Sequence, residues 1–257
     1  MFNLKASPEW RQRWAVLLKK LVRVQTADDE KYLLQRLSQP ERPFVLAFAN
    51  AHAMNSLATS GPFFDALASA DMVLRDGSGM ATLYKLMHLQ PGLNLNGTDL
   101  IPALFRHFNG RPIAMFGTQN PYLERGAEVV AQTLAPNSPQ LSAHGFLHAN
   151  AYVALARENH PALIVLGMGM PRQEQVAATL RVSLTHPCLI VCGGAIIDFL
   201  GGKTSRAPAW IRHIGLEWAY RLAHEPRRLF RRYVIGNPLF LSRALRFARH
   251  VQLVSAH

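Results

Sequence analysis

The amino-acid sequence predicts an α/β fold, in which a parallel sheet is covered by helices and followed by a basic C-terminal helical appendage. Short apolar runs of buried-strand type alternate with amphipathic helical segments, which is typical of a parallel sheet that is buried on both faces. Beyond Gly201-Gly202 this alternation stops, and only helical periodicity remains. We therefore expect a core over residues 1–202 and an appendage over residues 203–257.

The individual elements follow from local patterns. Residues 1 to about 40 are predicted to form a helical lead-in, because Trp10, Trp14 and Leu17 recur at helical spacing and Thr26 begins a capped helix. Strands are predicted at residues 43–49, 70–74, 112–117, 139–143, 161–167 and 187–193. Helices are predicted at residues 51–69, 78–88, 98–108, 120–134, 149–159 and 172–183 in the core, and at 206–223, 225–234 and 237–252 in the appendage.

The composition is that of a globular protein. Of its 257 residues, 49% are hydrophobic, which is enough to bury a large core. Cys188 and Cys192 lie in one apolar segment at a spacing typical of neither a metal knuckle nor a redox pair, so we expect buried thiols in a reducing compartment. The first residues lack the apolar core of a signal peptide, and no apolar run has membrane-spanning length, so a cytoplasmic location is expected.

The positive charge is concentrated in the appendage. The formal net charge of the chain is +12, and residues 203–257 contain eleven Lys and Arg against two acidic residues, Glu217 and Glu225. Aromatic side chains are interspersed among these arginines. Nucleic acid, anionic lipid or a polyphosphate ligand could each account for such a segment.

The first candidate site residue lies in residues 72–79. An apolar run ends at Asp76, and Gly77 and Gly79 follow just as a helical pattern begins. Such a turn places Asp76 at the carboxyl edge of a parallel sheet, where ligands bind, beside the free amides of a helix start, which attract phosphate. An acid next to a phosphate site predicts group transfer from a nucleotide or sugar phosphate, although Asp76-Gly77 alone would be an ordinary turn.

Two further predicted strand ends carry polar side chains. Asn50 and His52 could both face a ligand; otherwise Asn50 is a helix cap and His52 is a surface imidazole, which is the favoured interpretation for His52. Gln173 and Glu174 follow a glycine turn and a proline. They could contact a base, a ribose or a sugar hydroxyl, or they could be ordinary residues of a first helical turn.

Several classes of site are excluded by spacing. The turn at residues 167–171 lacks the third glycine of a dinucleotide-binding loop, and residues 201–204 lack the upstream glycine of a phosphate-binding loop. The sequence has no Asp-x-Asp, no His-Glu-x-x-His and no clustered His/Cys set, so neither a metal nor a cofactor is predicted. A departing diphosphate would have to be neutralised by arginines and amides. The candidate arginines, which could also form a solvated basic face, are Arg221, Arg228, Arg231 and Arg232.

Several blocks, in order over about residues 43–240, resemble the WecG/TagA/CpsF family of glycosyltransferases. They are Asn50, Asp76-Gly77, Gly97-Thr98-Asp99-Leu100, Phe116-Gly117, Gly169-Met170-Pro171-Arg172-Gln173-Glu174, Arg206-Ala207-Pro208-Ala209-Trp210, and residues 215–222 and 225–233. The resemblance implies a Rossmann-like core with an appendage that closes the site at the inner face of the membrane. It also implies metal-independent, inverting transfer of a hexose-type sugar from a UDP-sugar to a polyprenyl-diphosphate-linked sugar, in the synthesis of a bacterial surface polysaccharide or cell-wall polymer.

The same resemblance implies roles for individual residues. Asp76 matches the family's proposed general base, and Asn50 and Gln173 match donor contacts. The arginines that match those facing the diphosphate are Arg221, Arg228 and Arg231. Further donor-site residues are expected at Gly77, Asn94, Gly117, Gly169, Glu174 and Asp198. The expected partners are the UDP-sugar, the lipid-linked acceptor and an anionic membrane surface, with no nucleic acid and with homo-oligomer formation left open.

Two departures from the family pattern leave alternatives open. Phe48 stands where a threonine is expected, and Asn94 stands where an arginine is expected. Both positions are expected near the donor sugar, so this sugar could differ from the N-acetylmannosamine of the best-known members. A non-catalytic UDP-sugar-binding protein and a basic nucleic-acid-binding protein remain as alternatives. The second has no need for an acid such as Asp76 at a sheet edge.

Overall fold

The computed structural model describes residues 8–255, which fold around one seven-stranded sheet. The strand order is β1-β3-β2-β7-β6-β4-β5, and every pair of neighbouring strands is parallel. The strands are β1 (Leu21–Val22), β2 (Pro43–Ala49), β3 (Met72–Arg75), β4 (Ile113–Gly117), β5 (Gln140–Ala143), β6 (Leu163–Gly167) and β7 (Cys188–Cys192). The predicted α/β class with a parallel, Rossmann-like sheet is confirmed.

Helices connect the strands and form the appendage. In the core they are α1 (Glu9–Lys20), α2 (Ala27–Leu37), α3 (Ala51–Thr59), α4 (Gly61–Ser69), α5 (Gly77–Leu86), α6 (Gly97–His107), α7 (Tyr122–Val129), α8 (Ala149–Asn159), α9 (Arg172–Ser183) and α10 (Ile196–Leu200). The later helices are α11 (Ala209–His213), α12 (Glu217–His224), α13 (Pro226–Phe230) and α14 (Gly236–Ser255). Two π-helical segments, Val130–Leu134 and Arg231–Ile235, continue α7 and α13.

The sheet separates two hydrophobic cores. Along β2, Val45 and Ala47 face one core, whereas Leu46 and Phe48 face the other. This period of two, with apolar residues on both faces, is why the strands read as continuous apolar runs in the sequence. Both faces are therefore buried, and the carboxyl edge of the sheet is left to form a site.

The predicted core strands each correspond to an observed strand, and the differences have local causes. Strand β1 falls within the predicted helical lead-in, since Leu21 and Val22 pair with β3 at the edge of the sheet. The predicted helix 51–69 is divided at Ser60, whose hydroxyl accepts a hydrogen bond from the Phe63 amide and starts a second helix. The predicted helix 206–223 is interrupted around Gly215, which has a φ of 75°. The first seven residues of the lead-in lie outside the described residues.

The last helix of the appendage packs into the core. The rings of Phe240 and Phe247 on α14 lie 5.6 and 5.7 Å from the ring of Trp14, and Trp14 is fully buried. Helix α14 also contacts α3 and α5. A chain ending near Gly202 would therefore expose Trp14. The boundary at Gly202 and the closure of the site at the membrane by residues 203–257 remain predictions. Between residues 8 and 255, no helix is both long and apolar enough to cross a membrane.

Candidate functional site

Asp76 and Asn50 meet at the carboxyl edge of the sheet. Ala49 of β2 and Arg75 of β3 are register partners, so the next residues, Asn50 and Asp76, emerge side by side. The Asn50 side-chain amide donates to Asp76 Oδ2 at 3.2 Å. Asn50 Oδ1 accepts from the Ala53 amide at 3.0 Å, so this residue also caps α3. The Asp76 side chain makes no capping hydrogen bond to α5, so the start of that helix does not occupy its carboxylate.

The appendage brings two charged groups close to Asp76. Arg232 lies in the π-helical segment Arg231–Ile235. Burial lowers its pKa below the usual value, and the charges of Tyr233 and Asp76 offset part of this effect. Its Nε is buried without a hydrogen-bond partner among the described residues. Glu217, at the start of α12, has a pKa raised by burial, against the effects of Arg206 and other arginines, and the Asp76 charge raises it further. The two carboxylates and Arg232 thus share one electrostatic environment.

The position of α11 and α12 explains this proximity. The Ser78 hydroxyl, in the first turn of α5, donates to the Gly215 carbonyl at 3.4 Å. Arg206 forms an ion pair with Asp99 of α6, so a second contact holds the same segment at the sheet edge. These contacts hold residues 206–217 against the first turns of α5 and α6.

His52 is partly buried instead of lying on the surface. Burial lowers the pKa of its imidazole to about 4, and the charge of Arg232 adds to the effect. The ring is therefore neutral at physiological pH.

The three arginines assigned by resemblance have different environments. The Arg221 guanidinium lies 5.4 Å from the Phe199 ring centroid, and its Nε is buried without a hydrogen-bond partner in the described part of the chain. Arg228 is exposed and pairs with Glu225, and Arg231 is exposed. Arg232, which the resemblance did not assign, is instead the arginine of this segment that is largely buried and whose charge interacts with that of Asp76. Adjacent residues on a helix point in different directions, and the sequence did not show which of Arg231 and Arg232 would face inward.

Gln173 and Glu174 lie beneath two glycine turns at the same sheet edge. Each residue is only 1% exposed. Gln173 Oε1 accepts hydrogen bonds from the Gly169 amide at 3.2 Å and from the Gly194 amide at 2.9 Å. Gln173 Nε2 donates to Glu174 Oε1 at 2.8 Å. Donor contacts by either residue remain predictions, because both side chains are enclosed by protein atoms here.

Glycine is needed at the sheet edge for two different structural reasons, left-handed backbone and close approach of strands. Gly77, Gly169 and Gly194 have φ values of 82°, 75° and 63°, and a side chain at each would meet no atom within 4 Å. They are required by the left-handed backbone, and open space adjoins them. At Gly117, by contrast, a Cβ atom would clash with the Gly167 carbonyl oxygen, so this glycine permits close approach of β4 and β6.

Asp198 is held by two partners beside the end of β4. The Thr118 hydroxyl donates to Asp198 Oδ1 at 2.5 Å, and Lys203 Nζ lies 3.2 Å from the same oxygen. Lys203 also donates to the Thr118 hydroxyl oxygen. The expected contact of Asp198 with a donor stays a prediction, because Asp198 Oδ1 already has two protein partners.

Comparisons with known proteins identify the family of this chain. The pattern of the "Glycosyl transferase WecG/TagA/CpsF family" matches residues 16–252. The chain belongs to this family. It is 25% identical over 222 residues to the N-acetylglucosaminyldiphosphoundecaprenol N-acetyl-beta-D-mannosaminyltransferases of Staphylococcus aureus strains MW2 and NCTC 8325 / PS 47, with 84% of this chain and 85% of each relative covered. The identically named protein of strain COL has the same identity and coverage.

The two departures from the WecG/TagA/CpsF pattern have structural roles in this chain. Asn94 Oδ1 accepts a hydrogen bond from the Gly77 amide at 2.8 Å, so it occupies the first free amide of α5. Phe48 is 4% exposed, and its ring approaches Gly97 at the start of α6. Near Asn94, the guanidinium of Arg75 donates to the carbonyls of Pro91 and Gly92 at 2.8 and 2.7 Å, which fixes the loop that carries Asn94.

Sequence reasoning missed a cleft at the ends of β4 and β5. Its volume is ≈ 690 Å³. The lining residues are Gln119, Asn120, Leu123, Glu124, Ser142, Ala143, His144 and Phe146. Because these residues come from separate segments and show no common motif, only the fold brings them together. Within residues 8–255, no three His, Cys, Asp or Glu side chains lie together in a way that could hold a metal ion.

Proposed function

We propose that this chain transfers a hexose-type sugar from a UDP-sugar to a polyprenyl-diphosphate-linked sugar during synthesis of a bacterial surface or cell-wall polymer. The Asp76 carboxylate, which accepts a hydrogen bond from Asn50 at the sheet edge and interacts electrostatically with Arg232, is the observation that carries this proposal. The names of the S. aureus relatives, which describe mannosaminyl transfer onto a diphosphoundecaprenol-linked sugar, support an acceptor of this class.

The chemistry is an inverting displacement. The acceptor hydroxyl oxygen forms a bond to the anomeric carbon of the donor, Asp76 takes the hydroxyl proton, and the bond from that carbon to the diphosphate breaks on the opposite side, releasing UDP. Negative charge grows on the departing diphosphate. Arg221 and Arg232, each with a buried and unpartnered Nε among the described residues, can donate to it through charge-assisted hydrogen bonds. With arginines in this role, we propose that no divalent metal is needed.

Space for the donor lies along the same edge. The left-handed turns at Gly77, Gly169 and Gly194 adjoin open space, so the backbone there can approach a ligand closely. The ≈ 690 Å³ cleft near His144 is in the size range of small-molecule sites and could receive the nucleotide part. We keep Asn50, Gln173 and Asp198 as proposed donor-site residues.

We also propose that residues 203–235 attach the protein peripherally to the cytoplasmic face of the membrane. Large apolar side chains are exposed there, including Trp210 at 65%, Ile214 at 60% and Phe230 at 51%. They occur among the exposed arginines Arg227, Arg228 and Arg231. Exposed aromatic residues combined with basic residues are typical of segments that lie on anionic lipid. Such a surface would bring the lipid-linked acceptor to Asp76.

The test is turnover by the purified chain with a panel of UDP-sugars and a soluble lipid-diphosphate-linked acceptor. Asp76→Asn is expected to lower turnover by about 10²- to 10⁴-fold, because a general base typically contributes that much to rate. The variant should still fold and bind the donor. Asp65→Asn, at an exposed position of α4, is the matched control and should retain wild-type turnover.

Each outcome of this experiment is informative. Turnover at the wild-type rate by Asp76→Asn would refute Asp76 as the base. Binding of a UDP-sugar without turnover by the wild-type chain would instead favour the non-catalytic alternative that Phe48 and Asn94 left open.

A further inference from the structure

We propose that Glu174 is a positioning residue: it fixes the side-chain amide of Gln173 and, through that amide, the two glycine turns on the donor side of the site. The relevant groups form one continuous set of hydrogen bonds. Glu174 Oε1 accepts from Gln173 Nε2 at 2.8 Å, and Gln173 Oε1 accepts from the amides of Gly169 and Gly194 at 3.2 and 2.9 Å.

The Gln173 amide connects the loops that follow β6 and β7, in addition to the backbone hydrogen bond from the Gly193 amide to the Leu166 carbonyl at 2.8 Å. Gly169 follows β6, and Gly194 follows the neighbouring strand β7. Both glycines have left-handed backbone, and a Cβ atom on either would meet no atom within 4 Å, so neither glycine is itself held by packing. A glycine turn without packing is conformationally free, and a shared hydrogen-bond acceptor restricts that freedom.

Glu174 determines the orientation of this amide from the opposite side. A primary amide can be rotated so that its oxygen and nitrogen exchange places, and only one orientation presents oxygen to the two glycine amides. In that orientation the nitrogen needs an acceptor, which Glu174 Oε1 supplies. In the reversed orientation, the Gln173 nitrogen would face two N–H groups and its oxygen would face a carboxylate. Both faces of the amide would then be repulsive.

The Glu174 carboxylate is buried, which is unusual for a glutamate in the first turn of a helix. Glu174 is 1% exposed, and its Oε2 has no hydrogen-bond partner within the described residues. Cys192 of β7 faces it, and the pKa of that thiol is raised well above its usual range by burial and by the Glu174 charge, so the thiol stays neutral. No ion pair involves Glu174 in residues 8–255. Burial without a charged partner raises the pKa of Glu174 to about 7.

The positioning effect therefore depends on pH. Above about pH 7 the carboxylate is charged, and hydrogen bonds to charged groups are roughly twice as strong as neutral ones. Below that pH, the protonated carboxyl accepts more weakly from Gln173. We expect the two glycine turns to be better ordered at pH 8 than at pH 6.

Amide hydrogen exchange of the unliganded full chain, followed by NMR, tests this directly. In the wild-type protein, the protection factors of the Gly169 and Gly194 amides should rise about fivefold from pH 6 to pH 8, as expected for strengthening of one hydrogen bond by charge. In Glu174→Gln they should stay at the lower value throughout. The Gly77 amide, which donates to Asn94, is the internal control and should be protected equally in both proteins.

Because the donor side of the site is assigned by the proposed function, the consequence for binding rests on that function. The dissociation constant for a UDP-hexose at pH 8 should rise about fivefold in Glu174→Gln and stay unchanged in Gln175→Ala, an exposed position on the same helix. A UDP-hexose has no phosphate group that titrates in this range, so the pH effect reports on the protein.

The outcomes separate the two proposals. Equal Gly169 and Gly194 protection in both proteins at every pH would overturn the role of Glu174. Lower protection with unchanged UDP-hexose affinity would overturn its role in donor binding. If Gly169 and Gly194 were less protected in Glu174→Gln but neither the wild type nor the variant bound a UDP-hexose, the positioning of the turns would be supported and the proposed donor contradicted. If Glu174→Gln failed to fold, the wild-type pH series alone would still decide, since a flat series overturns the proposal.

Discussion

Replacement of Glu174 by glutamine should change how the stability of the whole protein depends on pH. Burial raises the pKa of Glu174 from its ordinary value of 4.5 to about 7, so the folded protein binds this proton more tightly than the unfolded chain does. Folding is therefore favoured at low pH. As the pH rises from 4.5 through 7, this contribution to the free energy of unfolding is lost, and above pH 7 the loss is complete.

The size of the loss follows from the shift. A displacement of one pKa unit corresponds to about 1.4 kcal/mol, so the shift from 4.5 to about 7 corresponds to about 3 kcal/mol. The amide that replaces the carboxyl group in Glu174→Gln does not titrate. The unfolding free energy of Glu174→Gln minus that of the wild type should therefore increase by about 3 kcal/mol across this interval, with most of the change between pH 5 and pH 8.

Urea denaturation of both proteins at several pH values from 5 to 8 measures this difference, because all other titrating groups are shared. Gln175→Glu is the matched control: it places a carboxylate at the next, exposed position of α9, where solvent leaves its charge without a burial penalty. Its difference from the wild type should not vary over this range. A constant difference between Glu174→Gln and the wild type would refute the argument that burial displaces this proton equilibrium.

Three further predictions concern the proposed transfer reaction. Arg232→Ala should lower kcat/KM by about 10²-fold, because one hydrogen-bond donor to the departing diphosphate is lost. Arg231→Ala is the control and should change kcat/KM by less than about threefold. The opposite order would contradict our placement of the diphosphate. Turnover should be unaffected by excess EDTA, and a strict need for added Mg²⁺ or Mn²⁺ would refute metal independence. The double variant Trp210→Ser/Phe230→Ser should bind anionic vesicles at least about tenfold more weakly in a co-sedimentation assay, because burial of each aromatic side chain contributes about 1.5–3 kcal/mol. Its turnover on a soluble acceptor should persist. Unchanged co-sedimentation would exclude this surface from membrane binding.

The sequence by itself determined the parallel sheet and the position of Asn50 and Asp76 at its carboxyl edge. Apolar runs such as Pro43–Ala49 and Cys188–Cys192 predicted buried parallel strands, because strands covered on both faces need no alternation of polar residues. Asp76 and Asn50 were predicted at strand ends for the same reason, and adjacent strands with a fixed register bring such residues together. These inferences rest on local pattern, which tertiary packing did not override.

Only the tertiary structure decided which appendage residues lie near Asp76 and which pack into the core. Charge counting treated residues 203–257 as one basic segment, yet Phe240 and Phe247 of α14 pack on Trp14, at the opposite end of the chain. The distinction between Arg231 and Arg232 depends on the direction of each side chain in a π-helical segment, which charge and spacing do not encode. Glu174 is buried because α9 packs against β7, and this burial raises its pKa. Which residues lie opposite a helix face is fixed only by the fold.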